Sequence, residues 1–149
     1  MKEAMAGTQS IRRATAMLEA FSDERPTWAI GELAEAVGLN RTTAYRLLTA
    51  LESVEYVVRD PETDIYRLGS GLIALGGRAQ RANPVRELAR PELSALAAQT
   101  GETATLEFLS DEHMVIIDEI PGASVARGSQ HVGTRWPVYA TSTGKAILA

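Results

Sequence analysis

The chain has 149 residues, 45% of them hydrophobic and 23% charged, which is typical of a soluble globular protein and excludes disordered or collagen-like chains. Because it contains no cysteine, a disulfide framework, a thiolate zinc site and a cysteine nucleophile are excluded as well. The formal net charge of −4 argues mildly against a nucleic-acid partner, but phosphate contact depends on which face carries the cations.

No uncharged stretch is long enough to cross a bilayer, and the first residues lack the apolar core of a secretory signal. We therefore expect a cytoplasmic protein.

Apolar residues at helical spacing predict two helices near the start of the chain. The first stripe runs from Ile11 to Phe21, and this helix is expected to end near Asp23. The second stripe begins near Ile30 or Gly31 and lasts about two turns.

Gly38 is then a left-handed stop, and Asn40 is a good N-cap for a third helix with Ala44, Leu47, Leu48 and Leu51 on its inward face. A short helix, a tight turn containing glycine and a further helix form a helix-turn-helix. The β-rich runs Tyr56–Arg59 and Ile65–Leu68 flank a loop of turn-forming residues, which predicts a hairpin, or wing. Residues 1–68 therefore predict a winged helix.

The remainder predicts a mixed α/β arrangement. A helix is expected over Gly69–Ala82, and another from Pro84 to a stop at Gly101, with Pro91 kinking its path. A hairpin follows, then a third strand within 125–132 and a helix beginning near Ser142. Two or three strands and a helical stub are too few to close a sheet covered on both faces, so we interpret this second domain as incomplete.

The outward face of the third helix carries the main candidate chemistry. It combines cations and hydroxyls with no acid before Glu52. Arginine bonds guanine edges or phosphate, threonine suits phosphate oxygens or thymine methyls, and the helix N-terminus offers free N–H groups to phosphate. A merely solvated polar face is the alternative, and the preceding turn and following wing favour DNA. The candidate contacts are Asn40, Arg41, Thr42, Thr43, Tyr45, Arg46 and Thr49.

Four further arginines are candidate DNA contacts. Arg12 and Arg13 at the start of the first helix are placed to touch phosphate, and Arg59 and Arg67 lie on wing strands that flank a minor groove in winged helices. For each of them, an ordinary surface charge is the alternative.

Signals for an enzyme are weak. Gly144-Lys145 lacks the rest of a P-loop, and Gly69-x-Gly71-x-x-Ala74 matches a dinucleotide fingerprint but follows a wing strand instead of opening a βαβ unit. The two histidines lack metal-ligand spacing, and the adjacent acidic pairs, such as Asp118-Glu119, are interpreted as solvated edge charge. We predict no catalytic residue, no metal and no cofactor.

Taken together, the sequence resembles the IclR family of bacterial transcription regulators. The resemblance runs in order from Ile11 to Ala149. Its matching segments are Ala16–Ser22, Glu32–Ala34, Gly38–Leu48, Tyr56–Asp60, Tyr66–Gly69, Pro91–Leu93 with Leu96–Ala97, Thr100–Thr103 and Thr143–Ala146.

The resemblance implies a fold of the α+β class with three parts. These are a winged-helix DNA-binding domain over 1–68, a linker and dimerisation helix over 69–84, and a partial GAF-like effector-binding domain over 85–149. The recognition helix maps onto Arg41–Leu51. In the linker, the stripe Leu72, Leu75 and Ala79 is expected to pack on a partner subunit.

As function, the resemblance implies a ligand-responsive regulator, a repressor of a catabolic operon, that binds a near-palindromic operator as a dimer, with pairing into a tetramer left open. Its effector is expected to be an organic acid or aromatic catabolite. The alternative is a metabolite-binding or enzymatic α/β domain with a winged helix used for protein docking.

The sequence departs from the family pattern in the wing and is expected to lack part of the effector pocket. Glu55 and Asp64 stand where the family usually has glycine. The effector domain of the family continues further than this chain, so much of the pocket is expected to be missing. Thr143, Gly144, Lys145 and Ala146 align with a segment near that pocket, and no ligand is assigned to them.

Overall fold

The computed structural model describes residues 8–123 and 131–149. The chain divides into two compact units, Met1–Gly76 and Gly77–Ala149, and each is described by itself.

The first unit is a helix-turn-helix followed by a wing. Its helices are α1 (Gln9–Glu19), α2 (Ile30–Ala36) and α3 (Arg41–Ser53), and its strands are β1 (Thr27–Ala29), β2 (Val57–Arg59) and β3 (Ile65–Leu68). Helix α4 (Ser70–Arg81) begins in this unit and contains the boundary between the two.

The turn between α2 and α3 follows from two residues. Gly38 has φ 67°, the left-handed conformation that glycine adopts without a Cβ penalty. The side chain of Asn40 accepts a hydrogen bond of 2.8 Å from the backbone N–H of Thr43, which satisfies one of the free donors of the first turn of α3. Both predictions made for this turn are confirmed.

The core of the first unit lies between the three helices and the sheet. Met17, Leu33, Ala44, Leu48 and Val57 are fully buried there. The predicted inward face of α3 is confirmed, since Leu51 is buried as well and Leu47 packs partly buried against the same cluster.

Strand β1 is not predicted by the sequence pattern. The sheet has three antiparallel strands in the order β1-β3-β2, with Trp28 opposite Tyr66 across the first pair. Trp28 is 8% exposed, and its indole N–H donates a 3.0 Å hydrogen bond to the carbonyl of Ala20. That carbonyl lies just after α1, which ends at Glu19 and not near Asp23 as predicted.

The second unit contains helix α5 (Pro84–Thr100), strands β4 (Ala104–Ser110), β5 (His113–Ile120) and β6 (Arg135–Pro137), a 3-10 turn (Val138–Ala140) and helix α6 (Ser142–Leu148). The strands form an antiparallel sheet in the order β4-β5-β6. The predicted start at Pro84 and stop at Gly101 are confirmed, and α5 is continuous through Pro91. The side chain of Asn83 caps the start, and Gly101 takes the left-handed conformation at the end. Most of the strand expected within 125–132 lies outside the described residues.

Asp118 corrects one prediction. Neighbouring residues of β5 do alternate between faces, but Asp118 lies on the buried face with Met114 and Ile116 and is 3% exposed. Its carboxylate contacts Arg90 Nη1 and Arg86 Nε at 3.1 Å each, so it is a buried ion-paired group and not a solvated edge charge.

The α+β class predicted from the sequence is confirmed. None of the helices in the described part of the chain combines the length and apolar character that a membrane span requires.

Candidate nucleic-acid interface

The outward face of α3 is open to solvent, as its residue pattern predicts. Arg41, Thr42, Tyr45, Arg46 and Thr49 are exposed, whereas Ala44 and Leu48 on the opposite side are fully buried. The core therefore fixes the rotation of the helix and directs a cationic and hydroxylated face outward.

Two residues of this face are already engaged in local hydrogen bonds. The hydroxyl of Thr49 donates a 2.9 Å bond to the carbonyl of Tyr45, so it has to rotate before it can donate to phosphate. The half-buried Thr43 supplies the N–H that the cap residue Asn40 accepts, which gives both residues a structural role at the helix start.

The positive charge of this face is carried by two exposed arginines. Arg41 and Arg46 make no ion pair with any residue that the structure describes. On α1, Arg12 is exposed and Arg13 is half-buried. Helices α1 and α3 of the same core thus position these four arginines, and Arg41 and Arg46 lie on the outward face of α3.

The two wing arginines lie on opposite faces of the sheet. Arg59 is opposite Tyr66 in the β2–β3 pair, and Arg67 is opposite Val58. Because directly opposed residues share a face and neighbours along a strand alternate, Arg59 lies on the side of buried Tyr66 and Arg67 on the other side.

Arg59 is held at the wing tip by Asp64. Its Nε and Nη2 donate to Asp64 Oδ1 at 3.0 and 2.5 Å, and these hydrogen bonds raise the pKa of Arg59 above its ordinary value. Asp64 has φ 58° and Glu55 has φ 59°, so both residues that replace the usual glycines take the left-handed conformation themselves.

A cavity of about 330 Å³ separates α3 from the wing. It is lined by Ile30, Arg41, Thr42, Tyr45, Arg59, Asp64 and Tyr66. Sequence reasoning missed Ile30, Asp64 and Tyr66 as members of this surface. The available signal was the hairpin itself, since a loop joining Arg59 to Ile65 brings Asp64 back beside Arg59.

The glycines that resembled a dinucleotide fingerprint have a structural role. A Cβ at Gly69 would lie 2.2 Å from the carbonyl oxygen of Glu55, and one at Gly71 would lie 2.6 Å from that of Val54. The chain needs glycine there because the start of α4 passes directly against the end of α3.

The segment expected near an effector pocket is also engaged within its own unit. Thr143 Oγ1 donates a 2.6 Å hydrogen bond to Glu107 Oε2, and Gly144 is buried so closely that a Cβ would lie 1.9 Å from the carbonyl oxygen of Val138. Lys145 and Ala146 are exposed. Among the residues described, no cluster of three or more histidine, aspartate or glutamate side chains is arranged to hold a metal ion.

The first unit, with its short helix, tight turn, exposed cationic third helix and antiparallel wing, has the architecture of the winged-helix class. Two sequence families match the chain. Residues 10–61 match the IclR helix-turn-helix domain, and residues 78–149 match the C-terminal domain of the bacterial transcriptional regulator IclR. The chain belongs to the IclR family of transcriptional regulators.

Named relatives agree with this assignment. The chain is 34% identical over 149 residues to the DNA-binding transcriptional repressor YiaJ of Escherichia coli, covering 99% of this chain and 53% of that protein. It is 32% identical to the HTH-type transcriptional regulator XynR of the same organism, covering 95% of this chain and 56% of XynR. These relatives are transcriptional regulators and not enzymes.

A solved structure has the same fold. The IclR transcriptional regulator from Alicyclobacillus acidocaldarius is 35% identical, with a TM-score of 0.79 over 93% of this chain and 57% of that one. The chain spans about half the length of the curated relatives that it matches, 53% and 56% for the two regulators above.

Proposed function

We propose that this chain belongs to a cytoplasmic, ligand-responsive transcription regulator that represses a catabolic operon, with its first unit binding DNA and its second unit binding the effector. The observation that carries the proposal is the outward face of α3, on the side opposite a fully buried stripe. There Arg41 and Arg46, which make no ion pair within residues 8–123 and 131–149, stand among exposed hydroxyls. A protein-docking winged helix would instead present an apolar or acidic face at this position.

On DNA, α3 lies in the major groove. Arg46 reads base edges, and Arg41 and Thr42 bind phosphate at the start of the helix. Tyr45 and Thr49 flank these contacts, while Asn40 and Thr43 fix the helix start. Arg12, Arg13, Arg59 and Arg67 add phosphate or minor-groove contacts around it.

The regulator acts as a dimer on a near-palindromic site, with its two recognition helices about 34 Å apart in successive major grooves. The predicted stripe of α4 supports a partner subunit, because Leu75 is 43% exposed, Ala79 is exposed and Leu72 is half-buried. An organic acid or aromatic catabolite bound by the second domain changes the spacing of the two heads, and this differential binding couples effector to DNA. With about six phosphate contacts per dimer, affinity falls with salt with a logarithmic slope of roughly −5.

Selection from a randomised pool of duplexes of about 30 bp, long enough for two successive major grooves, tests the proposal. We expect the purified chain to enrich an inverted repeat whose half-site centres lie about one helical turn apart. Sedimentation of the protein alone and of the complex measures the subunit number. Absence of any enriched sequence, together with binding that salt does not weaken, would refute the proposed function.

A further inference from the structure

The Arg59–Asp64 pair distinguishes the wing tip from the other candidate DNA contacts. Both guanidinium donors of Arg59 that face Asp64 bond the same carboxylate oxygen, at 3.0 and 2.5 Å. Arg41, Arg46 and Arg67 make no ion pair with the residues in 8–123 and 131–149. Of the arginines on α3 and the wing that are proposed to meet DNA, Arg59 is thus the one with a carboxylate partner in the described part of the chain.

The pair faces the recognition helix. Arg59 lies on the Tyr66 side of the sheet, and Arg59 and Asp64 line the same cavity as Arg41, Thr42 and Tyr45 of α3. Asp64 therefore places a negative charge at the cavity that is also lined by Arg41 and Arg59, two arginines that the proposed function assigns to DNA.

Resting on the proposed function, we propose that Asp64 sets the affinity of this regulator for DNA by competing with phosphate for Arg59. A phosphate that approaches the wing has either to displace the Asp64 carboxylate from the guanidinium or to meet a neutral pair. In both cases, binding of Arg59 to a phosphate releases fewer of the cations condensed on the DNA than binding of an unpaired arginine would. Asp64 does not affect the base-edge contacts of α3, so it weakens binding to DNA of every sequence by the same factor. This keeps the affinity of the regulator for non-specific DNA low.

The geometry of Asp64 supports a role beyond closing the turn. Its φ of 58° is a conformation that glycine adopts without strain and that aspartate and asparagine tolerate. The loop already has a capping carboxylate in Asp60, whose Oδ1 accepts from the backbone N–H groups of Glu62 and Thr63 at 2.8 and 3.2 Å. The side chain of Asp64 bonds Arg59 alone among its described neighbours.

The test compares Asp64→Asn with Glu62→Gln in the full chain. Asparagine keeps the left-handed conformation and the shape of the side chain while removing its charge. Glu62→Gln is the matched control, because Glu62 is an exposed wing carboxylate with no ion pair in the described part of the chain. Binding to a random-sequence duplex of about 30 bp is measured as a function of salt, and then repeated on the duplex obtained by selection.

We expect Asp64→Asn to bind both duplexes about 3- to 10-fold more tightly near 0.1 M salt, with a salt slope steeper by about 0.9 per bound subunit. Glu62→Gln should change affinity by less than about twofold, because its charge is screened by solvent. Asp64→Gly should act in the same direction as Asp64→Asn. In an Arg59→Ala background, the gain from Asp64→Asn should fall to that of the control.

An Asp64→Asn protein that binds like the Glu62→Gln control, or more weakly than the unmodified chain, would overturn this role of Asp64 while leaving the proposed function intact. A chain that binds neither duplex at any salt concentration would instead overturn the proposed function, and this inference with it.

Discussion

Ser70 Oγ donates a 2.9 Å hydrogen bond to Glu55 Oε2, which joins the first residue of α4 to the residue that reverses the chain after α3. The backbone N–H of Gly71 adds a 2.9 Å bond to the carbonyl of Glu55, and that of Gly69 adds one of 2.9 Å to Tyr56. The chain just after α3 and the first turn of α4 are therefore bound to each other directly.

This junction predicts a strong requirement for glycine at two positions. We expect Gly69→Ala and Gly71→Ala each to destabilise the first unit by about 1–3 kcal/mol, because a Cβ at either position lies within 2.6 Å of a backbone oxygen. Urea unfolding in a Trp136→Phe background, where Trp28 reports on the first unit, measures the loss. Gly76→Ala is the matched control. It meets nothing within 4 Å and should stabilise α4 by up to about 1 kcal/mol. Equal effects at the three positions would contradict the close approach.

Two substitutions of Asn40, the cap residue of α3, are expected to affect stability and DNA affinity differently. Asn40→Ala should cost about 1 kcal/mol, since the Thr43 N–H loses its side-chain acceptor. Asn40→Asp keeps an acceptor and should leave stability within about 0.5 kcal/mol of the unmodified chain, yet weaken DNA binding by placing an anion where phosphate is proposed to sit. Thermal melts and DNA titrations of the same preparations check both. If Asn40→Asp binds DNA as tightly as the unmodified chain, phosphate does not approach this helix start.

Removing the charge of the buried carboxylate of Asp118 should strongly destabilise the second unit around β5. Asp118→Asn should destabilise the β4–β5 hairpin by about 2–4 kcal/mol, toward the low end because Arg90 remains 48% exposed and is partly solvated when unpaired. Amide hydrogen exchange of β5 measures the change. Glu112→Gln, an exposed carboxylate in the turn of the same hairpin, is the control and should change protection little. Similar protection in the two variants would mean that the ion pair is dispensable.

The stability of the wing should depend on pH through the ionisation of Asp60. Hydrogen bonds from the backbone N–H groups of Glu62 and Thr63 lower the pKa of Asp60, so its folded value lies below its unfolded value of about 3.9. Its contribution to stability is therefore present above about pH 3.9 and lost as the pH falls through the lower folded value. The Tm difference between the unmodified chain and Asp60→Asn should shrink over that range. A difference that stays constant with pH would count against the bonded carboxylate.

The sequence predicted those parts of the fold that local patterns determine. The stop at Gly38, the cap at Asn40 and the inward face of α3 depend on residues close together in the chain, and all three are confirmed. Strand β1 was missed because it has only three residues and is stabilised by pairing with β3, nearly forty positions later in the chain. The Arg59–Asp64 ion pair was missed for a related reason, since only the register of the β2–β3 hairpin brings the two side chains together.

Asp118 shows the same limit in the second unit. Alternation along β5 places its side chain on one face, but only the position of α5 determines that this face is buried and that two arginines are there to pair with it. The DNA contacts stay predictions, because they depend on a partner molecule and not on the core.

The central claim is that the outward face of α3 reads DNA, and the most direct measurement compares Arg46→Ala with Arg135→Ala on the selected duplex and on random duplex. Arg135 is an exposed arginine of the second unit and controls for the loss of one positive charge. We predict that Arg46→Ala loses about 1–3 kcal/mol of binding on the selected duplex, and much less on random duplex, while Arg135→Ala binds both nearly as the unmodified chain does. Unchanged binding of Arg46→Ala to the selected duplex would contradict the account.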